Sequence, residues 1–301
     1  MDPVVQSSAP LILIGGTGFL GRAYAGHLAA GARQIEVIGR DDWHSGRADA
    51  LADAMAGRAP VIVDLAYATV PSTSFADPVG DFTANLGAMI RHLEFARRVG
   101  AARHLFVSSG GTIYGDQGDR PLDEDAPTQP ISPYGITKLA SEHYAAMYRR
   151  LGVPSLIVRP SNIFGPGQAP FRGQGLVATA YGAAMRGQPL TLYGDGSQRR
   201  DYLFVDDFCT GLDAVLARGE IGAAYNLGRG AATETAALLA AIGAITARDG
   251  FPLIVTNAAA RSFDVGSNLL DIGRIRDRLN WQPQTALDDG LERTWQWIRR
   301  H

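Results

Sequence analysis

Two residues four apart carry the most chemistry in this chain: Tyr134 and Lys138, in the run Tyr134-Gly-Ile-Thr-Lys138. The stretch around them, about 132–151, predicts a helix, and residues four apart share one helix face. A phenol and an ammonium can therefore point into one site. A free phenol titrates near ~10, too high for a base at neutral pH, and a nearby positive charge favours its ionised form. Lys138 is the only lysine among 28 basic residues, all others being arginine. A lysine kept against that bias marks a position where a compact charge of lower pKa is wanted and a guanidinium will not serve. The second group is Gly15, Gly18 and Gly21 in GGTGFLG, directly after the apolar run LILI (11–14) and at the opening of a helical pattern. Glycines so spaced permit a tight turn, close backbone approach to a pyrophosphate and close helix–strand packing. The helix start adds free N–H groups and a positive dipole end. Turn and pair together predict proton chemistry beside a bound dinucleotide.

Such groups need a scaffold. Short apolar runs at 11–14, 35–38, 61–65, 104–109 and 155–159 read as strands, and 19–30, 47–56, 80–99 and 132–151 as helices. The alternation predicts an α/β fold, a doubly wound parallel Rossmann sheet over residues 1–160, with about 202–228 returning to it. Residues 161–201 and 229–301 form a smaller C-terminal substrate-binding lobe, with helices at 233–247, 271–280 and 286–300. That lobe covers the carboxyl ends of the strands, where open sheets bind ligands.

Composition narrows the function. The chain has 301 residues, 46% hydrophobic and 19% charged, with a net charge of −2. It can bury a sizeable core and has no electrostatic footprint for nucleic acid or an anionic membrane. No apolar run approaches the ~20 residues of a membrane span, and the start lacks the pattern of a signal peptide. Cys209 stands alone, and the six histidines show no metal spacing, His92 and His143 reading as helix-surface residues. A cytoplasmic protein with no metal, no nucleic acid and no membrane partner is expected.

Eight motifs in order resemble the extended short-chain dehydrogenase/reductase family, the nucleotide-sugar epimerases, dehydratases and reductases. They are GGTGFLG at 15–21, Asn85 in NLGAMIRHLE, SSGGTIYG at 108–115, YGITKLASE at 134–142, RPSNIFGPGQ at 159–168, YGDGSQRRDYLFVDD at 193–207, YNLG at 225–228 and RSFDVGSNLLDIGRIRDRLNWQP at 261–283. The resemblance implies that Tyr134 is the general acid/base at a sugar hydroxyl or ketone, and that Lys138 supports it and bonds the cofactor ribose. It implies cofactor contacts from Gly15, Thr17, Gly18, Phe19, Leu20, Gly21, Leu65, Ala66, Asn85, Ser108 and Pro160. It also implies substrate contacts from Asn162, Arg200 and Arg261, and a homodimer paired through the helices at about 80–99 and 132–151.

Two features depart from the family pattern. The usual catalytic Ser or Thr is replaced by Gly110, leaving Ser109 or Thr112 to bond the reacting oxygen, with Thr112 favoured. The segment 40–60 is short, so the third strand and its acidic adenine contact are compressed or missing. At the end of the second strand stand Gly39 and Arg40 instead of an acid. A small residue followed by Arg leaves room for a 2′-phosphate and a charge-assisted donor, which favours NADP, with NAD and Asp41 or Asp42 as the alternative. The leading expectation is therefore NADPH-dependent reduction of a 4-keto nucleotide sugar. The alternatives are an NAD-dependent nucleotide-sugar 4-epimerase and a non-catalytic cofactor-binding regulator.

Overall fold

Short apolar runs become strands, and the amphipathic stretches between them become helices. The computed structural model describes residues 9–29, 34–171, 175–260 and 265–301. Its first part runs β1 (Leu11–Ile14), α1 (Phe19–Leu28), β2 (Ile35–Ile38), α2 (Arg47–Met55), β3 (Val61–Asp64), α3 (Pro71–Ala76) and α4 (Pro78–Arg98). Then come β4 (Arg103–Val107), α5 (Pro133–Arg149), β5 (Ser155–Pro160), β6 (Asn162–Phe164), α6 (Leu176–Arg186), β7 (Leu190–Tyr193) and β8 (Arg199–Phe204). The chain ends with α7 (Val205–Arg218), β9 (Ala224–Leu227), β10 (Ala232–Glu234), α8 (Thr235–Arg248), β11 (Val255–Ala258), β12 (Ser267–Asn268), α9 (Gly273–Leu279) and α10 (Leu287–Ile298).

Six strands form one parallel sheet in the order β2-β1-β3-β4-β5-β9. Alternation along β1 shows why it is wound on both faces. Leu11 and Leu13 pack with Tyr24 of α1, Phe208 and Leu212 of α7 and Ile275 of α9. Ile12 and Ile14 pack with Ala52 of α2, Met89 and Leu93 of α4 and Ala145 of α5. A strand buried on both faces must be apolar throughout, as LILI is. Between β2 and β3 lie only a short 3₁₀ turn, Asp41–Trp43, and α2, so the third strand of the expected pattern is absent and β2 is the edge. From β1 the chain adds β2 on one side and then β3 on the other, and that reversal of strand order is the switch point where such sheets bind ligands.

The second lobe has its own small sheet, β10-β8-β12 with β6 also on β8, and a parallel pair, β7 and β11. YLFV at 202–205 was expected to return to the large sheet. Instead β8 belongs to the small one, and α7 with β9 makes the return. Phe164, Tyr181, Phe204, Ile242 and Trp295 form the lobe's core.

Two helices that matter for the site are capped by sequence. Ser132 accepts the Gly135 N–H at 3.1 Å with Pro133 as the first helical residue of α5, and Asp77 with Pro78 does the same for α4. A side-chain acceptor and a residue without N–H both suit a helix start. No helix among the described residues is long and apolar enough to cross a membrane.

Candidate active site

The carboxyl ends of β1, β3, β4 and β5 meet at the switch point. Gly15 follows β1 with φ +79°, and a Cβ there would lie 2.7 Å from the Ala66 backbone. At Gly21 a Cβ would lie 2.4 Å from the Gly15 carbonyl, so the turn closes against its own helix. Gly18 caps α1 without any side-chain acceptor, and Phe19 and Leu20 pack toward the second lobe's core, leaving the first-turn N–H groups to whatever binds the turn. A cavity of about 700 Å³ opens here, lined by Gly15, Thr17, Gly18, Leu65, Ala66 and Asn85 among others. Ser108 at the end of β4 keeps a buried hydroxyl with no hydrogen-bond partner among the described residues. An anion cradle at a helix start and an unpaired buried hydroxyl fit a dinucleotide. Asn85 holds the wall: its Oδ1 accepts the Ala68 N–H at 2.7 Å, and its Nδ2 donates to Thr69 and Asp81. Pro160 ends β5, and its carbonyl accepts the Gly110 N–H at 2.8 Å.

Tyr134 and Lys138 lie one turn apart on the buried face of α5. Of the nearby hydroxyls, it is the Ser109 side chain that acts on the Tyr134 phenol, favouring its ionised form. Burial pushes that phenol well above its ordinary value, reinforced by the Asp81 carboxylate, and Ser109 pulls the other way. Lys138 donates from Nζ to the Val107 carbonyl at 2.8 Å. Burial pulls its ammonium down to about 7 against the opposing fields of Asp64, Glu142 and Asp81.

Gly110 has a cause. A Cβ there would lie 2.7 Å from Leu270 Cδ1 and 2.8 Å from the Arg159 carbonyl, so Leu270 beside β12 fills the place of the missing side chain. The hydroxyl that favours the ionised Tyr134 phenol is that of Ser109, whereas Thr112, the favoured candidate in sequence, has a buried Oγ1 with no partner among the described residues.

The far end of the cavity is lined by Arg40, Asp41, Trp43, His44, Arg91 and His92. Arg40 and Arg91, from different elements, have no ion-pair or hydrogen-bond partner among the described residues. Asp42 is occupied: its Oδ2 accepts the Gly39 N–H at 2.7 Å and Arg47 at 2.9 Å, fixing the turn after β2. His92 was expected on a helix surface and is buried instead, because Trp43 stacks on it at 4.8 Å and its Nδ1 meets Asp64 at 2.8 Å. Burial alone would raise the Asp64 carboxyl, but His92 and His104 hold it well below the usual carboxylate range.

In the second lobe, Asn162 and Arg200 line a separate cavity of about 250 Å³ with Phe164, Gln198 and Tyr202. Asn162 donates to the Asp201 carbonyl at 3.1 Å, and Arg200 ties β8 to the Val265 carbonyl at 2.6 Å. Arg261 lies outside the described residues. Sequence reasoning missed Tyr67, Trp43, Arg91 and the burial of His92. The aromatic residue directly after Leu65-Ala66 was a usable signal for Tyr67; the others are joined only by tertiary packing.

The model of the NAD dependent epimerase/dehydratase family matches residues 11–228. A UDP-glucose 4-epimerase of Mycolicibacterium smegmatis is 35% identical over 96% of this chain and 98% of its own. The UDP-glucose 4-epimerase of Thermotoga maritima, solved with UDP-glucose, superimposes with TM-score 0.87 at 26% identity, over 97% of this chain and 99% of that one. The dTDP-glucose 4,6-dehydratase of Streptomyces venezuelae, solved with NAD bound, gives TM-score 0.86 at 28% identity over 97% of both chains. With the glycine turn, the Tyr134–Lys138 pair and the six-stranded sheet in their places, the chain belongs to the NAD-dependent epimerase/dehydratase family, an enzymatic branch of the extended short-chain dehydrogenase/reductases.

Proposed function

We propose that the protein is a nucleotide-sugar 4-epimerase that retains NAD. The observation that carries the reading is that Tyr134 and Lys138 share the buried face of α5, with Ser109 acting on the phenol and Tyr67, which lines the cavity at the glycine turn, packed edge to face on Tyr134. The end-to-end similarity to a UDP-glucose 4-epimerase supports it over reduction. NAD, when bound, accepts a hydride from the sugar carbon and returns it. Tyr134 takes the proton of the sugar hydroxyl and gives it back to the ketone oxygen as the hydride returns to the opposite face of the carbon. Ser109 holds that oxygen in line. The Lys138 charge lowers the cost of the phenolate, which burial and Asp81 oppose. Epimerisation also needs the sugar to turn over while its carrier stays fixed. Arg200 and Asn162 are suited to hold the diphosphate side, with Arg261 as a further candidate.

One observation favours the second reading, NADPH-dependent reduction of a 4-keto sugar: the guanidinium groups of Arg40 and Arg91, unpartnered among the described residues, at the far end of the cavity. Denaturing the purified protein, identifying the released cofactor and assaying UDP-glucose and UDP-galactose separates the readings. Bound NAD with interconversion of the two sugars supports epimerisation. NADPH consumption with a 4-keto sugar and no interconversion replaces it with reduction. Cofactor release with neither activity leaves a regulator.

We also propose a homodimer through α4 and α5. Val79 and Phe82 in the first turns of α4 are 74% and 58% exposed, and Ile136 in the first turn of α5 is 56% exposed. Such an apolar patch on two neighbouring helices suits a self-complementary interface. Sedimentation should show a dimer, and Phe82→Glu should shift it toward monomer; a monomeric native protein removes this reading.

A further inference from the structure

The loop after β3 brings a third aromatic ring to the catalytic pair. The Lys138 Nζ sits 3.9 Å from the centroid of the Tyr67 ring, nearer than to Phe106 at 5.0 Å or Tyr134 at 5.9 Å. The Tyr67 and Tyr134 rings meet edge to face, centroids 4.8 Å apart at 67°. Tyr67 is also tied to the helix that carries the pair. Its hydroxyl donates toward the Tyr134 carbonyl at 3.4 Å. Among the described residues the Val107 carbonyl is the one hydrogen-bond acceptor of Nζ, and no carboxylate lies within ion-pair distance of it.

We propose that Tyr67 is a positioning residue of the catalytic pair, its ring face holding the Lys138 ammonium in the charged form and its edge fixing the orientation of Tyr134. The inference rests on the catalytic reading of Tyr134 and Lys138 above. A buried ammonium has lost its water, and a carbonyl replaces only one of its three donors' partners. The negative face of an aromatic ring, strongest when solvent is excluded, replaces part of the rest. The charges acting on Lys138 from farther off are Asp64 on β3, Asp81 on α4 and Glu142 on α5, and the phenols facing it are Tyr67 and Tyr134. Its ammonium is already held down to about 7 by burial, so loss of the ring shifts it through the working pH range. Tyr67 also lines the cofactor cavity, which places this control beside the redox ring's expected seat.

The lone lysine makes the test direct. Protein labelled with ¹⁵N-lysine yields one side-chain signal, that of Lys138, and its titration can be followed in the cofactor-free protein. Tyr67→Phe keeps the ring face and should titrate with the native protein. Tyr67→Leu removes it, and the midpoint should fall by about one pH unit, a tenfold change in the protonation constant. The alkaline limb of kcat/KM should move down with it. Equal midpoints in the native and Tyr67→Leu proteins overturn the proposal. If Tyr67→Leu does not fold, fluorinated phenylalanine at position 67 keeps the shape and weakens the ring face; an unmoved midpoint there overturns it equally. The titration does not depend on turnover. An active Lys138→Met variant would therefore sink the catalytic reading, while the signal of Lys138 still judges Tyr67.

Discussion

The two ends of the cleft proposed to hold the dinucleotide are built in opposite ways. At the catalytic end, Tyr134 and Lys138 sit on one capped, 17-residue helix whose face is buried, and their relation is set by helical geometry alone. At the adenosine end, the wall is assembled from the abbreviated turn after β2 and from α4, some 50 residues later in the chain. Arg40 and Arg91 there are exposed and, among the described residues, unpartnered, while His92 is buried against an acid. A regular element transmits sequence spacing into geometry without loss. A shortened loop does not, so its chemistry depends on what distant elements bring to it.

The largest expected effect belongs to the catalytic end. Lys138→Met should lower kcat by about 10³–10⁴-fold with the fold intact by circular dichroism, since general acid/base contributions are of that size. Near-native turnover would mean that helical register here is packing and not chemistry. Ser109→Ala should lower kcat by about 10²-fold, the scale of losing one donor at the reacting oxygen. Thr112→Ala should change it much less, because the Ser109 side chain is the one that favours the ionised Tyr134 phenol. The reverse ranking would return the role to Thr112.

Legibility in the sequence follows the same contrast. The β-α alternation, the glycine turn and the pair were readable because each is periodic or local, and the alternating faces of β1 repeat that logic in the core. The missing third strand was readable as a shortage of residues between β2 and β3. What replaces it was not. Trp43 stacks on His92 across 49 positions of sequence, and no spacing announces a partner that far away. The place of β8 was misjudged for a related reason. YLFV carries a strand signal, but its pairing with β6, β10 and β12 is decided by the lobe's core. The glycine at 110 likewise answers to Leu270, whose side chain fills the space beside it from 160 positions away.

The adenosine end offers the smaller effects. If Arg40 and Arg91 bind a 2′-phosphate, Arg40→Ala and Arg91→Ala should each weaken NADP by about 10–100-fold and NAD little, the range of a charge-assisted bond. Titration calorimetry with both dinucleotides on cofactor-stripped protein decides it. Equal losses for the two cofactors would assign the arginines to the protein surface and strengthen the NAD reading.

The last effect is on stability. His92→Phe preserves the stacking on Trp43 but leaves the Asp64 carboxylate buried without its nearest partner. Removing one member of a buried pair costs about 3–5 kcal/mol, mostly as the penalty on the charge left behind. The sign with pH follows from the direction of the shift. A carboxyl held below its unfolded value contributes stability that is present above that value, near ~4, and is lost as pH falls through its folded one. The variant's deficit in unfolding free energy should therefore be full at pH 7 and shrink as pH falls from about 4 toward the folded value of Asp64, where its carboxyl is protonated and no longer needs His92. Urea unfolding at the two pH values reads this directly. A deficit independent of pH would mean that His92 is held by its ring packing, and that the adenosine wall, like the catalytic helix, is positioned by shape and not by charge.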